Sequence, residues 1–288
     1  MSTARNFPSG VGGMRIDAHQ HFWKFDPVRD SWINDDMAVI QKDFLPRDLQ
    51  PVLKNNDFDG SVVVQSDQSE NENEFQLKNA EENDFIKGAV GWVDLQANNI
   101  EERLSYYSSF KKMKGFRHVL QGETDRSLML KPEFMNGVSQ LEKFGFTYDI
   151  LIYPDQLKYV PEFVGAFMHQ KFVIDHLAKP GIRNKEISDW KREIQNIARF
   201  ENVYCKISGM VTEADWTNWK QDDFVPYIDV VIEAFGPNRI LYGSDWPVCL
   251  VAASYEQMLG IVQEYFSSFS ETEQELFFGD NATKFYNL

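Results

Sequence analysis

The chain has 288 residues, of which 43% are hydrophobic, 25% charged and 14% aromatic, a composition that excludes a disordered or low-complexity protein. Its 29 Lys and Arg stand against 44 Asp and Glu, a formal charge of −15. A surface that acidic repels phosphate backbones and anionic head groups, which sets aside nucleic acid and membrane surfaces as partners. No apolar run approaches the roughly 18 residues of a transmembrane helix. Only Cys205 and Cys249 occur, in a chain with 23 Phe, 11 Tyr and 7 Trp to build a core, so disulfides are not needed and a reducing, cytoplasmic setting is expected.

Residues 1–13 (MSTARNFPSGVGG) lack the basic-then-apolar order of a secretory signal and read as a tag or flexible extension ahead of Met14. From there, short β-branched apolar runs alternate with longer amphipathic ones. The strand-like runs are 14–18 (MRIDA), 61–65 (SVVVQ), 86–93 (IKGAVGWV) and 115–119 (GFRHV), followed by 146–152 (FTYDILI), 172–175 (FVID), 203–208 (VYCKIS) and 240–243 (ILYG). Helical spacing of three and four appears in 98–112 (Ile100, Leu104, Tyr107, Phe110), in 186–200 (Trp190, Ile194, Ile197) and in 255–266 (Met258, Leu259, Val262). Ser188 and Asp189, ahead of Trp190, read as a helix start signal.

Eight strand–helix alternations without period-2 exposure are what a closed parallel sheet requires. The expected fold is a single distorted (β/α)8 TIM barrel over residues 14–288, with no linker or composition break. A doubly wound open sheet is the competing architecture. It usually carries a glycine-rich first turn, whereas the turn after Ala18 reads HQHFW.

Chemistry in such a barrel sits at the C-terminal ends of the strands. Those ends carry His19 and His21, then Gln65, Ser66 and Asp67, then Arg117 and His118. Further along come Asp175 and His176, Lys206 and Ser208, and Ser244 and Asp245. Four of the five histidines fall in this set, and His169 is assigned to a helix. His-x-His at a strand end aims both imidazoles to one face. They can share one metal ion with His176 and Asp245, or polarise a carbonyl with no metal. Asp245 is the candidate base that activates water, while Asp17 is read as structural and outward-pointing. Arg117 and Lys206 are candidate substrate contacts, Lys179 a cover of the mouth, and Trp23 a candidate platform for a sugar face. No nucleophile–base pattern surrounds the cysteines, which read as inert.

Four motifs in order, IDAHQHFW, VIDHLAKP, ILYGSDWPV and the terminal FFGDNATKFYNL, resemble the amidohydrolase superfamily. More narrowly they look like its sugar-lactonase branch, which contains L-fuconolactone and L-rhamnonolactone hydrolases. The resemblance spans Met14–Leu288 and implies hydrolysis of an ester or lactone. By motif match, His19 and His21 are the first-strand histidines, His176 the later one, and Asp245 the aspartate that handles the water proton. Arg117 and His118 become substrate contacts, joined by Gln65, Trp23 and Lys206. The fifth strand ends DILIYP without a histidine, and the fourth ends Arg-His where binuclear members carry lysine. The resemblance therefore implies no metal or one divalent ion, zinc foremost, at His19, His21, His176 and Asp245.

The expected activity is the opening of an L-fucono-, L-rhamnono- or galactono-type aldonolactone to the free acid, with a small sugar lactone as the partner molecule and homo-oligomerisation left open. A hydrolase of an anionic cyclic ester, such as a pyrone dicarboxylate or muconolactone, is the nearer alternative. It calls for several arginines at the mouth, where the sequence places Arg117 and offers Arg183. A non-catalytic barrel used for binding is the other.

Overall fold

Eight strands alternate with helices along the chain: β1 (Ile16–Gln20), β2 (Gly60–Val64), β3 (Ile86–Gly91), β4 (Met113–His118), β5 (Thr147–Ile150), β6 (Phe172–Ile174), β7 (Val203–Ile207) and β8 (Ile240–Tyr242). They pair in chain order and in parallel, forming a nearly closed (β/α)8 barrel, as expected. Every strand boundary lies within two residues of its expectation. The computed structural model describes residues 13–288, so the reading of residues 1–12 as a tag or extension lies outside the described residues.

The helices are α1 (Pro46–Asn55), α2 (Glu70–Glu82), α3 (Ile100–Tyr107), α4 (Pro132–Leu141), α5 (Val160–Gly165), α6 (Ser188–Ile197), α7 (Gln221–Phe235), α8 (Tyr255–Phe266), α9 (Glu271–Glu275) and α10 (Asn281–Tyr286). The α8 helix matches its expected span and opens on a capping box. Ser254 Oγ accepts the Gln257 N–H at 3.2 Å, and Gln257 Oε1 accepts the Ser254 N–H at 2.8 Å. The α3 helix is shorter than its periodicity predicts. Beyond Tyr107, the hydroxyls of Ser108 and Ser109 donate to the carbonyls of Ser105 and Tyr106, which competes with helix propagation. The start signal at Ser188 and Asp189 is borne out, since α6 begins at Ser188, with Ile187 in the cap position. One smaller expectation is corrected: His169 lies in the turn after α5, not in a helix.

Strand alternation divides the apolar residues between two cores. Outward-facing Phe116, Tyr148 and Phe172 pack against helix residues such as Phe134 and Phe163. Inward-facing Ile16, Ala18, Val62, Val64, Val90, Val173 and Leu241 form a second cluster, floored by Phe285 and Tyr286 of α10. Each of these large side chains contributes about 1.5–3 kcal/mol by leaving water. The apolar interior gives way toward the C-terminal ends of the strands to polar residues, and there the site begins.

Candidate active site

The mouth is organised by an irregularity in β1. Its pairing with β2 runs Ile16↔Gly60, Asp17↔Ser61 and then Gln20↔Val63, so β1 spends one residue more than its neighbour. Strict alternation would put residues 17, 19 and 21 on one face. The bulge separates them: His19 and His21 face the mouth, and Asp17 faces the helix layer. There it accepts the N–H of Ser244 at 2.9 Å, the N–H of His19 at 3.2 Å and the hydroxyl of Tyr255 at 3.2 Å. The structural role expected for Asp17 is thus present, and it ties β1 to the segment after β8. Alongside, His21 donates its N–H to the Trp246 carbonyl at 2.7 Å and Asp245 donates to the His19 carbonyl at 2.8 Å.

These contacts bring together His19, His21, His176 and Asp245. The Nε2 atoms of His21, His19 and His176 lie 3.2, 3.8 and 3.9 Å from Asp245 Oδ1. Two of the four sit on left-handed backbone: Asp245 at φ 57°, and His176 at φ 54° as the first of four consecutive left-handed residues ending at Lys179. Such conformations cost about 1–2 kcal/mol per residue and concentrate at functional sites. The turn is held by the Trp190 indole N–H on the Leu177 carbonyl at 2.7 Å and by His176 Nδ1 against Ser208 Oγ at 2.8 Å. Two glycines allow the rings to sit where they do. A Cβ on Gly243 would fall 2.6 Å from His19 Cβ, and one on Gly209 would fall 2.5 Å from His176 Nδ1. Nothing in the sequence alone marked either glycine.

Burial decides the protonation states. It holds the His176 imidazole down to about 4 and, with the Lys206 ammonium beside it, His19 well below its ordinary value, so both rings are neutral at neutral pH. Burial works against the charged form of Asp245, but the His176 ring and the His21 contact outweigh it and keep the carboxyl below the usual range. The result is an ionised base beside the neutral rings of His19 and His176.

The remaining expected site residues are distributed differently. Lys206 has no exposed surface and lies beneath His19, with its Nζ 2.6 Å from Asp149 Oδ2 and 3.0 Å from Asp175 Oδ1. It is not open to a substrate hydroxyl, a correction that follows from two inward carboxylates on β5 and at the end of β6. Arg117 is paired with Asp175 Oδ2 at 3.0 Å and donates to the Gln65 side chain at 2.9 Å. Gln65 is itself fully buried and serves this guanidinium instead of the mouth. His118 turns away, between the Trp92 indole N–H at 3.2 Å, Glu123 Oε1 at 2.7 Å and the Phe134 ring. Trp23 is buried and donates to the Lys42 carbonyl at 2.9 Å, its ring centre 6.4 Å from that of His21. It forms one wall of a hollow of about 250 Å³, also lined by Arg29, Asp67, Ser69 and Asn71. Lys179 pairs with Glu213 at 3.3 Å, and Arg183 is exposed. Both cysteines are buried free thiols pushed upward by burial, as inert residues should be. Asp149, Glu123 and Tyr286 were not found by sequence reasoning, because nothing local distinguishes an inward strand carboxylate from a solvated one.

The donor set accommodates a metal ion. His19, His21 and Asp245 offer ligand atoms close enough to share one. His21 Nδ1 is 2.8 Å from the Val64 carbonyl and its Nε2 is 3.2 Å from a carboxylate oxygen. With the ring proton on Nδ1, two lone pairs face each other across the second gap, and a proton or a cation must lie between them. His19 joins as a ligand when its own proton is on Nδ1, toward Asp175 Oδ1 at 3.4 Å.

A (β/α)8 barrel with histidines and an ionised aspartate gathered at the C-terminal ends of its strands is the architecture of an enzyme active site. Residues 16–288 match the amidohydrolase family, and the chain belongs to it. It is 35% identical over 289 residues to an L-fucono-1,5-lactonase of Burkholderia multivorans, covering 96% of this chain and 97% of that protein. An L-fucono-1,5-lactonase of Burkholderia ambifaria is 31% identical, with 95% and 96% covered. The crystal structure of an amidohydrolase from Burkholderia multivorans with bound zinc superposes with a TM-score of 0.93 at 34% identity, covering 96% of this chain and all of that one. Among the described residues no helix is long and apolar enough to cross a membrane.

Proposed function

We propose that this protein hydrolyses a sugar-acid lactone to the free aldonic acid, with an L-fucono-, L-rhamnono- or galactono-type lactone as substrate. The observation that carries the reading is the ionised Asp245 carboxylate encircled by three imidazole Nε2 atoms at the barrel mouth. The 35% identity to an L-fucono-1,5-lactonase over nearly the whole chain supports the substrate class.

Asp245 takes a proton from water as its oxygen attacks the lactone carbonyl carbon. Charge builds on the carbonyl oxygen, which an Nε2–H of His19 would stabilise, while both ring nitrogens of His21 are taken up by the Val64 carbonyl and Asp245. The carbon–ring-oxygen bond then breaks, and the proton held by Asp245 passes to the departing alkoxide. Water is thereby divided between the new carboxyl and the new hydroxyl. A zinc ion held by His19, His21 and Asp245 would polarise the carbonyl and lower the pKa of water. The hollow beside Trp23, with Arg29, Asp67 and Asn71, offers donors and acceptors for sugar hydroxyls.

Anionic cyclic esters suit the mouth less well. Both inward cations, Arg117 and Lys206, are already paired with Asp175 and Asp149. A binding protein would have no use for the left-handed backbone at His176 and Asp245. The test is a pH-indicator screen of aldonolactones with and without chelator on metal-analysed protein. Acid release from one of the three lactone types is expected. Inactivity toward all of them, with turnover of a pyrone dicarboxylate, would overturn the sugar assignment.

A further inference from the structure

The barrel interior beneath His19 holds a polar chain that the proposed chemistry does not use. Lys206 Nζ donates to Asp149 Oδ2 at 2.6 Å, contacts His19 Nδ1 at 3.1 Å and forms an ion pair with Asp175 Oδ1 at 3.0 Å, an oxygen that accepts no hydrogen bond. Asp149 accepts the Tyr286 hydroxyl at 2.8 and 3.0 Å. Tyr286 belongs to α10, which closes the floor of the barrel. Contacts therefore run unbroken from the last helix to a histidine at the opposite end, and every member is buried.

An ammonium group only donates. Its contact with His19 is satisfied when Nδ1 keeps its lone pair, which leaves the ring proton on Nε2. The other arrangement places the proton on Nδ1, toward Asp175 Oδ1 at 3.4 Å. That would set an N–H against the Lys206 ammonium and leave this fully buried donor with Asp149 as its one hydrogen-bond acceptor. On the far edge of the ring, Nε2 meets Asp245 Oδ1 at 3.8 Å and Arg117 Nη1 at 3.3 Å. Arg117 Nη1 gives one of its two hydrogens to Asp175 Oδ2 at 3.0 Å and competes for Nε2 with the other, over a longer contact than that of Lys206 with Nδ1.

We propose that Lys206, held by Asp149 and the Tyr286 hydroxyl, is a positioning residue that keeps the ring proton of His19 on Nε2, aimed into the mouth. In this form His19 offers an N–H to the carbonyl oxygen of a substrate. That consequence rests on the lactone reading, whereas the tautomer does not. The same contact sets Lys206 against a metal at His19, because ligation through Nε2 requires the proton to move to Nδ1.

The experiment is nitrogen NMR of protein carrying ¹⁵N-labelled histidine, with the His19 signals assigned through His19→Gln. The wild type is compared with Tyr286→Phe and with the charge-balanced pair Lys206→Met and Asp149→Asn. In the wild type, His19 Nδ1 is expected to be unprotonated and Nε2 protonated. In the paired variant the proton population moves toward Nδ1, zinc binds several-fold more tightly, and kcat falls about tenfold with KM nearly unchanged. Should the paired variant not fold, Tyr286→Phe carries the test, since it removes one hydroxyl: the His19 signals shift while those of His118 and His169 stay. A protonated Nδ1 in the wild type, or a His19 ring unchanged in every variant that folds, would overturn the proposal. Wild-type protein with the expected tautomer but no lactonase activity overturns the functional reading and supports the positioning role. Lactonase activity with a protonated Nδ1 does the reverse.

Discussion

The Asp17 carboxylate accepts the main-chain N–H of Ser244 at 2.9 Å, joining the first strand to the segment that carries Asp245. The same oxygen accepts the N–H of His19, so one side chain sets the spacing between a mouth histidine and the mouth aspartate. Asp17→Ala leaves two buried N–H groups without a partner and is expected to cost about 3 kcal/mol of stability. It should also lower kcat by moving Asp245. Asp17→Asn keeps an acceptor and should recover most of both. Urea unfolding together with turnover per folded molecule tests this, and equal losses in the two variants would remove Asp17 from the account.

Asp245→Asn keeps the shape of the site and removes its base. Turnover of the lactone is expected to fall by about 10²–10⁴-fold, the usual worth of a positioned general base, while substrate still binds. Single-turnover kinetics with an equilibrium binding measurement separates the two effects. Near-normal turnover would sink the assignment.

The strands were legible because parallel barrel strands are buried on both faces and read as continuous β-branched runs; Ser61–Gln65 is the clearest case. The α8 helix was equally clear from the apolar spacing of Met258, Leu259 and Val262. What escaped was the consequence of packing. Lys206 was legible as a cation at a strand end, but its loss to Asp149 and Asp175 depends on which neighbouring strands aim carboxylates inward. His118 sits at the end of a strand whose preceding residue, Arg117, faces inward, so alternation already turned it toward Phe134. The outward placement of Asp17 was read from the sequence, but the bulge in β1 that produces it is announced by no residue type.

Zinc should bind at one equivalent per chain and raise the unfolding temperature, since it binds only the folded site. His21→Ala and Asp245→Asn are expected to abolish that shift. His176→Ala separates the two compact groups that could hold an ion, His19 with His21 and Asp245, and His19 with Asp175 and His176; it should retain the shift if the ion sits in the first. Titration calorimetry on chelator-stripped protein gives the answer, and loss of binding in His176→Ala would enlarge the ligand set.

Glu72, at the Trp23 hollow, is buried, and its Oε1 accepts from the Ser66 N–H, the Ser66 hydroxyl and Gln76 Nε2 at 3.0–3.1 Å. Burial raises its carboxyl above the ordinary 4.5 despite those bonds. The folded protein therefore holds this proton to a higher pH than the unfolded chain does. The contribution of Glu72 to stability falls as pH rises from about 4.5 through the folded value, and above it the full cost of the buried charge is present. Glu72→Gln removes that dependence. The wild type should lose stability relative to the variant between pH 4 and 8, as followed by urea midpoints on about unit pH steps. A difference of opposite slope would mean that hydrogen bonding outweighs burial.

Gly145 and Gly209 share a left-handed backbone, at φ 74° and 60°, yet differ in what surrounds them. A Cβ at Gly145 meets nothing within 4 Å, whereas one at Gly209 meets His176 Nδ1 at 2.5 Å and Cγ at 2.8 Å. Alanine at either position incurs the same backbone penalty of about 1–2 kcal/mol. Gly145→Ala should stop there, with kcat intact. Gly209→Ala must also displace the His176 ring from Ser208 and from Asp245, so kcat is expected to fall at least about tenfold beyond any loss of stability. Because the backbone term is common to both, the difference between the two variants isolates the placement of His176. Equal kinetics would mean that the ring position does not matter to turnover, and His176 would then be a structural residue of the β6 turn.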